Sequence, residues 1–501
     1  MRSTIIKYLG GMVLGALLCA CQGPKVPDTF TELKQQPEIY PDYLDVTVPV
    51  NIAPLHFQLT HDYDEVVTRF KAADEEVVVA GRAVCPDFDE WKSLMAKGMT
   101  DGVSVEVFTR TGDSWHKYQP FAIHVSPDSI DPWLTYRLIS PSYVTYEDLT
   151  INQRCLENYD ERVIYDNMLC STEKDGQCIN CHYSQLGNPQ RTMFHARQNL
   201  GGTLLNIDGK LMKVNLKTDS TLSAGVYPAW HPQQNIIAFS TNNTMQSFHT
   251  LDVDKIEVLD SQSDLILYDP EKQEVSVIEN DSNEFETFPC WTPDGKWLYY
   301  SSAHFEWRDT VEKETECILR YKDIRYNLYR KAFDAASRTF GPRELVFAAD
   351  SMGLSATLPR ISPDGHFLLM TVGEWGTFHI WHRDADLWLI DLQTGKAEPF
   401  KEVNSPSVES FHNWSSNGRW IVMSSRRDDG NFTRPFFAHV DKDGHATKPF
   451  ELPSNDPNYH REFMRSYNVP EFMRGPVTFS PQDYADALKK PATQAKFVRR
   501  Q

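Results

Sequence analysis

From about residue 42 onward the chain reads as short strands: apolar and polar positions alternate with a period of two over 42–126, and the stretches that follow carry apolar runs such as "IIAF" (236–239) and "FLLM" (367–370). Four stretches align without a gap: "VYPAWHPQQNIIAFSTN" (226–242), "TFPCWTPDGKWLYYSSA" (287–303), "TLPRISPDGHFLLMTVG" (357–373) and "SFHNWSSNGRWIVMSSR" (410–426). Each predicts a short strand, a tight turn and an apolar strand ending in small polar residues. Asp294-Gly295 and Asp364-Gly365 supply the positive φ that such a hairpin needs. After a variable insert comes a third strand, as in "SDLILYDP" (263–270) or "ADLWLIDL" (385–392), and then a fourth, as in "EVSVIEN" (274–280).

Four strands recurring every 50 to 70 residues predict β-propeller blades, because each small sheet buries both faces only against its neighbours. With "SPDG" and "TPDG" between the first two strands, the units resemble the TolB-type propeller repeat over most of residues 127–455. Two blades are expected in degraded form. One comprises "PWLTYRLI" (132–139), "TINQRCL" (150–156) and "ERVIYDN" (161–167), with no turn signature. The other runs from Cys181 to Leu216, with "RTMFHAR" (191–197) as its second strand. The count is six blades. Residues 42–126 alternate without a blade signature and predict a β-sandwich-like domain, so the fold class is all-β. Residues 21–41 are expected as a tether and 456–501 as a C-terminal extension packing across the propeller.

The first residues change the picture of location. Arg2 and Lys7 precede an apolar run, Leu9 to Leu18, too short to span a bilayer, which predicts a signal peptide over residues 1–20. "LCAC" resembles a bacterial lipobox, and the resemblance makes Cys21 the acylated residue, with a plain signal peptide or uncleaved anchor as the alternative. No acidic run follows Cys21, which favours a periplasm-facing outer-membrane lipoprotein over surface export. A formal net charge of −19 argues against nucleic acid as a partner. Cys155 and Cys170 have the placement of a disulfide or of two buried thiols, and sequence does not choose.

The candidate chemistry lies in "DGQCINCHYSQ" (175–185). Cys178-Ile-Asn-Cys181-His182 has the order required for covalent attachment of haem c: two thiols to add to the vinyl groups and a histidine to come under the iron. Export satisfies the other condition, since attachment occurs outside the cytoplasm. Three bland readings compete. A Cys178–Cys181 disulfide is strained and closes a negligible loop; a zinc site lacks a second tight ligand pair; a thioredoxin-like pair lacks its α/β setting. The motif is expected in a loop, 168–182, leading into a blade. On the next strand His195 takes the place where the siblings carry Ser240, Ser301, Thr371 and Ser424, making it the candidate distal ligand, with Met193 as the thioether alternative and a core-satisfied histidine as the bland one. His249, His304, His379, His382, Arg426 and Arg427 are expected on the same face, where they would bind a ligand or a haem propionate or simply form insert surface. Asp384 and Asp386 are read as backbone partners and not as a metal site.

No Gly-x-Ser-x-Gly elbow, phosphate loop or dinucleotide fingerprint occurs, and there is no room for the hydrolase domain that accompanies propellers in prolyl oligopeptidases. The expectation is therefore a membrane-anchored, haem-bearing propeller lipoprotein for electron transfer or haem-linked binding; an enzyme with residues on the loop face is a third reading, for which no diagnostic constellation occurs. The expected protein would resemble TolB-like lipoproteins that carry a haem motif. The rival is a haem-free scaffold whose loop face binds a protein or glycan.

Overall fold

A computed structural model describes residues 23–140, 148–171, 177–308 and 312–500. Cys21 and the predicted signal peptide lie outside the described residues. Among the described residues no helix is long and apolar enough to cross a membrane.

Six four-stranded antiparallel blades form the larger part of the molecule. Blade 2 is Gln177–Ser184, Arg191–Gln198, Gly202–Ile207 and Lys210–Asn215, inner to outer. The inner strands of blades 3 to 6 are Gly225–Trp230, Glu284–Trp291, Ser355–Ile361 and Glu409–Trp414. Blade 1 is assembled from both ends of this region. Its inner strand, Ser466–Met473, pairs with Trp133–Ile139, which pairs with Leu149–Cys155 and then Glu161–Asp166. The missing turn signature near residue 132 has its explanation here: the strand that would precede the turn lies more than 300 residues away. The ring thus takes in part of the stretch expected as an extension after residue 455.

The rest of that stretch straps the ring. Helix Pro481–Leu488 starts at a Ser480/Asp483 capping box with proline at its first position, and Tyr484 and Leu488 join Tyr165 and Phe194 in a core between blades 1 and 2. Thr493–Gln494 and Lys496–Phe497 then add parallel edge strands to blades 2 and 3.

The N-terminal region is a seven-stranded sheet, a three-stranded sheet and helix Phe88–Lys97 around Phe57, Phe70, Trp91 and Phe121. Thr31–Glu32 and Ile39–Tyr40, in the stretch expected as tether, pair into these sheets. The same core runs into blades 1 and 6 through Leu134, Tyr136, Trp420 and Phe437, so the two parts share one apolar interior.

One irregularity repeats six times. Cys181, Tyr227, Phe288, Leu358, Phe411 and Val469, one per inner strand, have φ between 45° and 55°. At each, the pairing with the second strand shifts register, the mark of a β-bulge. A non-glycine residue in the left-handed region is strained. Sixfold repetition makes it a property of the fold.

Candidate functional site

The bulge decides where the thiols go. In an unbroken strand, residues three apart face opposite ways, so Cys178 and Cys181 would be separated by the sheet. The extra residue at Cys181 resets the alternation, and Cys178, Asn180, Cys181 and Tyr183 are all half-buried while Ile179 and His182 are buried. Both thiols thereby line one cavity, and both are free. The motif was expected in a loop; its described residues, from Gln177, lie instead in the inner strand itself, and 172–176 fall outside the described residues.

The cavity, about 930 Å³, occupies the loop-face end of the central channel, at the upper end of the range for cofactor and small-molecule sites. Its waist is the ring of bulge residues, five of them bulky and apolar and the sixth Cys181. Part of its roof is the hairpin of blade 3, Ile237–Phe248 and Ile256–Asp269, which contributes Met245, Phe248, His249 and Ile256. That hairpin is held to blade 5: Glu257 accepts from Trp375 Nε1 (3.1 Å) and pairs with His382 Nε2 (3.1 Å).

His182 follows Cys181. Its ring lies against the backbone of Val469 on blade 1, and its Nε2 is buried with no hydrogen-bond partner. Burial, reinforced by the Arg137 guanidinium, pushes its pKa down to about 3, so the ring is neutral with a free lone pair. Arg137 donates to Ile179 O (2.9 Å) and Asn468 Oδ1 (2.8 Å). With the amide oxygen of Asn180 turned toward Arg197, it accepts from Nε at 3.0 Å and Nη2 at 2.7 Å. Burial raises the Cys181 thiol, opposed by Arg197, the Tyr227 backbone and Arg137. Deeper in the channel, Arg360 lies near Glu471, whose Oε1 accepts from Ser184 N (2.9 Å) and Oγ (2.7 Å) and which burial lifts to about 7.

The two candidate distal ligands are placed elsewhere. His195 stands opposite Asn180 in the register that the siblings' small hydroxyls occupy, but its Nδ1 meets Thr203 Oγ1 at 3.2 Å and it does not line the cavity. Met193 is buried with Leu205, Trp230 and Ile237 between blades 2 and 3. The physical reason is the pleat: second-strand residues at this level face the adjoining blade, as Ser240 does in bonding Thr287 Oγ1 (3.1 Å). Of the expected loop-face group, His249 and Arg426 line the cavity. His304 pairs with Glu284, Arg427 with Glu409, and His379 with Thr357 and the Trp375 carbonyl. Asp384 accepts from the Glu374 backbone. Cys155 and Cys170 are buried and unpaired with each other. Sequence reasoning missed Arg137, Arg197, Arg360 and Glu471; a column of Pro228, Pro289, Pro359 and Pro470 one residue after the bulge was the available sign of the ring.

No protein-family model matches the chain, and no curated protein matches it. Among solved structures it is similar to a prolyl endopeptidase (12% identity, 71% of this chain and 41% of that one, TM-score 0.32). It is also similar to prolyl oligopeptidase B from Galerina marginata (12%, 80% and 54%, 0.31) and to an oligogalacturonate lyase in complex with manganese (11%, 82% and 99%, 0.31). The chain spans about half the length, or less, of the two peptidases. The β-propeller assignment rests on the blades themselves.

Proposed function

We propose that this protein is an envelope lipoprotein, TolB-like and anchored through Cys21 to the periplasmic side of the outer membrane, whose propeller channel carries haem c on Cys178 and Cys181 for electron transfer or haem-linked ligand binding. The observation that carries this reading is the meeting of two free thiols with a neutral imidazole whose buried Nε2 has no partner, all on the wall of one cavity. Each thiol would add across a vinyl double bond, its proton going to the other carbon, so no oxidant is consumed. His182 would turn its ring from the blade 1 backbone into the cavity to offer Nε2 to the iron. A bound haem would supply a one-electron iron couple. The apolar ring would exclude water from its faces.

The test is haem-stained denaturing gel electrophoresis of the protein co-expressed with a cytochrome c maturation system. Stain in the wild type that disappears in Cys178→Ala/Cys181→Ala supports the reading; an unstained wild type, matured alongside a stained control cytochrome, rejects it. One observation favours the haem-free scaffold as second reading: Phe248, Leu251 and Val253 are exposed at the tip of the blade 3 hairpin, a small apolar prominence at the cavity mouth.

A further inference from the structure

The chain carries a formal net charge of −19, yet its channel cavity is cationic. Arg137, Arg197, Lys255, Arg360, Arg383 and Arg426 line it, against the carboxylates of Asp254 and Glu471. Among the described residues, none of these six cations has a carboxylate within ion-pair distance. Their hydrogen bonds go largely to neutral groups: Arg137 to Ile179 O and Asn468, Arg360 Nη1 to Pro359 O (2.9 Å), Lys255 to Asp252 O. The Nε atoms of Arg137 and Arg426 are buried without any partner, and the Arg426 guanidinium lies 4.4 Å over the Trp381 ring. Burial holds Arg426 down at about 10, still charged at neutral pH.

Partly buried cations beside apolar surface are costly until an anion meets them. Their arrangement here is two-sided. Arg426 follows the second strand of blade 6, at the loop face, whereas Arg360 lies two residues beyond the ring residue Leu358 along its strand, on the deeper side. Between them runs the apolar waist. An occupant that satisfies both features has an apolar body and acidic ends, and guanidinium groups suit carboxylates because they donate two parallel hydrogen bonds.

We propose that the channel cavity is a receptor for an amphiphilic carboxylate, whose apolar body contacts the ring of Tyr227, Phe288, Leu358, Phe411 and Val469 and whose acid groups are taken by Arg426 and Arg360. The inference uses the same cavity as the haem reading but not its thiols. Recognition by charge precedes and does not require covalent attachment. Two sources share this chemistry: a rigid planar dicarboxylate and a long-chain aliphatic dicarboxylate, each with its acids at opposite ends.

The experiment uses the full chain with Cys21→Ser, which removes the acyl acceptor, produced without haem. Binding of stilbene-4,4′-dicarboxylate, of hexadecanedioate and of the dimethyl ester of each is titrated by the change in tryptophan fluorescence. At least one acid is expected to bind about tenfold or more tightly than its ester. Arg426→Met and Arg360→Met each weaken the acid about tenfold and leave the ester unchanged, while the Arg→Lys variants, keeping the charge but not the bidentate fork, fall between wild type and the Met variants and report on folding. Cys178→Ala/Cys181→Ala stays within about threefold of wild type, because the thiols play no part in charge recognition. Preference for the stilbene assigns the rigid planar ligand, preference for hexadecanedioate the flexible one, and either upholds the inference. Equal binding of acid and ester, or no saturable binding of either acid to the wild type, overturns it. The haem-stained gel is read separately: acid selectivity without stain sinks covalent attachment alone, and stain without acid selectivity sinks this inference alone.

Discussion

Two histidines of this propeller occupy the same backbone position and have different surroundings. His182 in blade 2 and His412 in blade 6 each follow the bulge residue of an inner strand, Cys181 and Phe411, and each turns toward the preceding blade. His412 is fully used: Nε2 lies 3.0 Å from the Leu369 carbonyl, which can only accept, and Nδ1 lies 3.5 Å from Thr371 Oγ1. In blade 1 the place of Thr371 is taken by Arg137, a group with no acceptor, whose charge opposes a proton on the neighbouring ring. His182 therefore keeps a bare Nε2. One substitution across a blade interface separates a histidine that ties blades together from one free to bind something else.

The sharpest way to break this comparison is to give His182 the residue that four siblings carry at its position, Pro228, Pro289, Pro359 and Pro470. In protein carrying covalent haem, His182→Pro is expected to abolish the absorption bands of histidine-ligated haem while leaving haem stain on a denaturing gel. Retained bands of histidine ligation would remove His182 from the iron. Stability should stay within about 1 kcal/mol of wild type, because the group removed has an unpartnered nitrogen and the position tolerates loss of its backbone N–H.

The opposite result is expected for His412→Ala. It leaves the buried Leu369 carbonyl without its donor and opens a void at the blade 5–6 interface, so chemical denaturation should report a loss of about 1–3 kcal/mol with the haem spectrum unchanged. If the two histidines cost the same on removal, the partnering argument fails.

A smaller effect is expected from making Cys181 like its siblings. Cys181→Phe copies Phe288 and Phe411 at the bulge, and the cavity has room for the ring, so stability should change by less than about 1.5 kcal/mol. Stain on the gel should weaken but persist through the remaining thioether at Cys178. A fully stained product would mean that Cys181 takes no part in attachment.

Much of this architecture was legible in the chain. The four Trp- or Ile-marked hairpins predict blades because the turn residues and the alternation agree, and the degraded blades were countable from their outer strands. Three things stayed hidden for physical reasons. The closing strand "SYNVPEFM" has the bulge-and-proline pattern of its siblings but no turn after it, since its partner begins at Trp133. The bulge itself is a backbone state adopted by Tyr, Phe, Leu, Val and Cys, none of which announces positive φ as glycine would. Missing it displaced "CINCH" into a loop and promoted His195 and Met193, which the pleat turns into the blade interface. The cationic cavity was hidden too, because Arg137, Arg197, Arg360 and Arg426 come from four different blades.

The last prediction concerns pH. Burial holds His182 and His412 at about 3, whereas both return to about 6.5 when the chain unfolds. A histidine with a depressed folded value is neutral in the native state, so the unfolded state takes up its proton first. Stability is complete above about pH 6.5 and falls as pH drops toward 3, by at most about 1.4 kcal/mol per unit per residue. In haem-free protein, His182→Pro and His412→Ala should each remove one proton's worth from the slope of unfolding free energy between pH 6 and 4. With haem attached, His182 bound through Nε2 cannot take up that proton at all in the native state, so the wild-type slope should be at least as steep as in the haem-free form. A His182→Pro slope identical to wild type in the haem-free protein would show that His182 is reachable by protons from the channel, and the contrast with His412 would then reduce to a difference in hydrogen bonding alone.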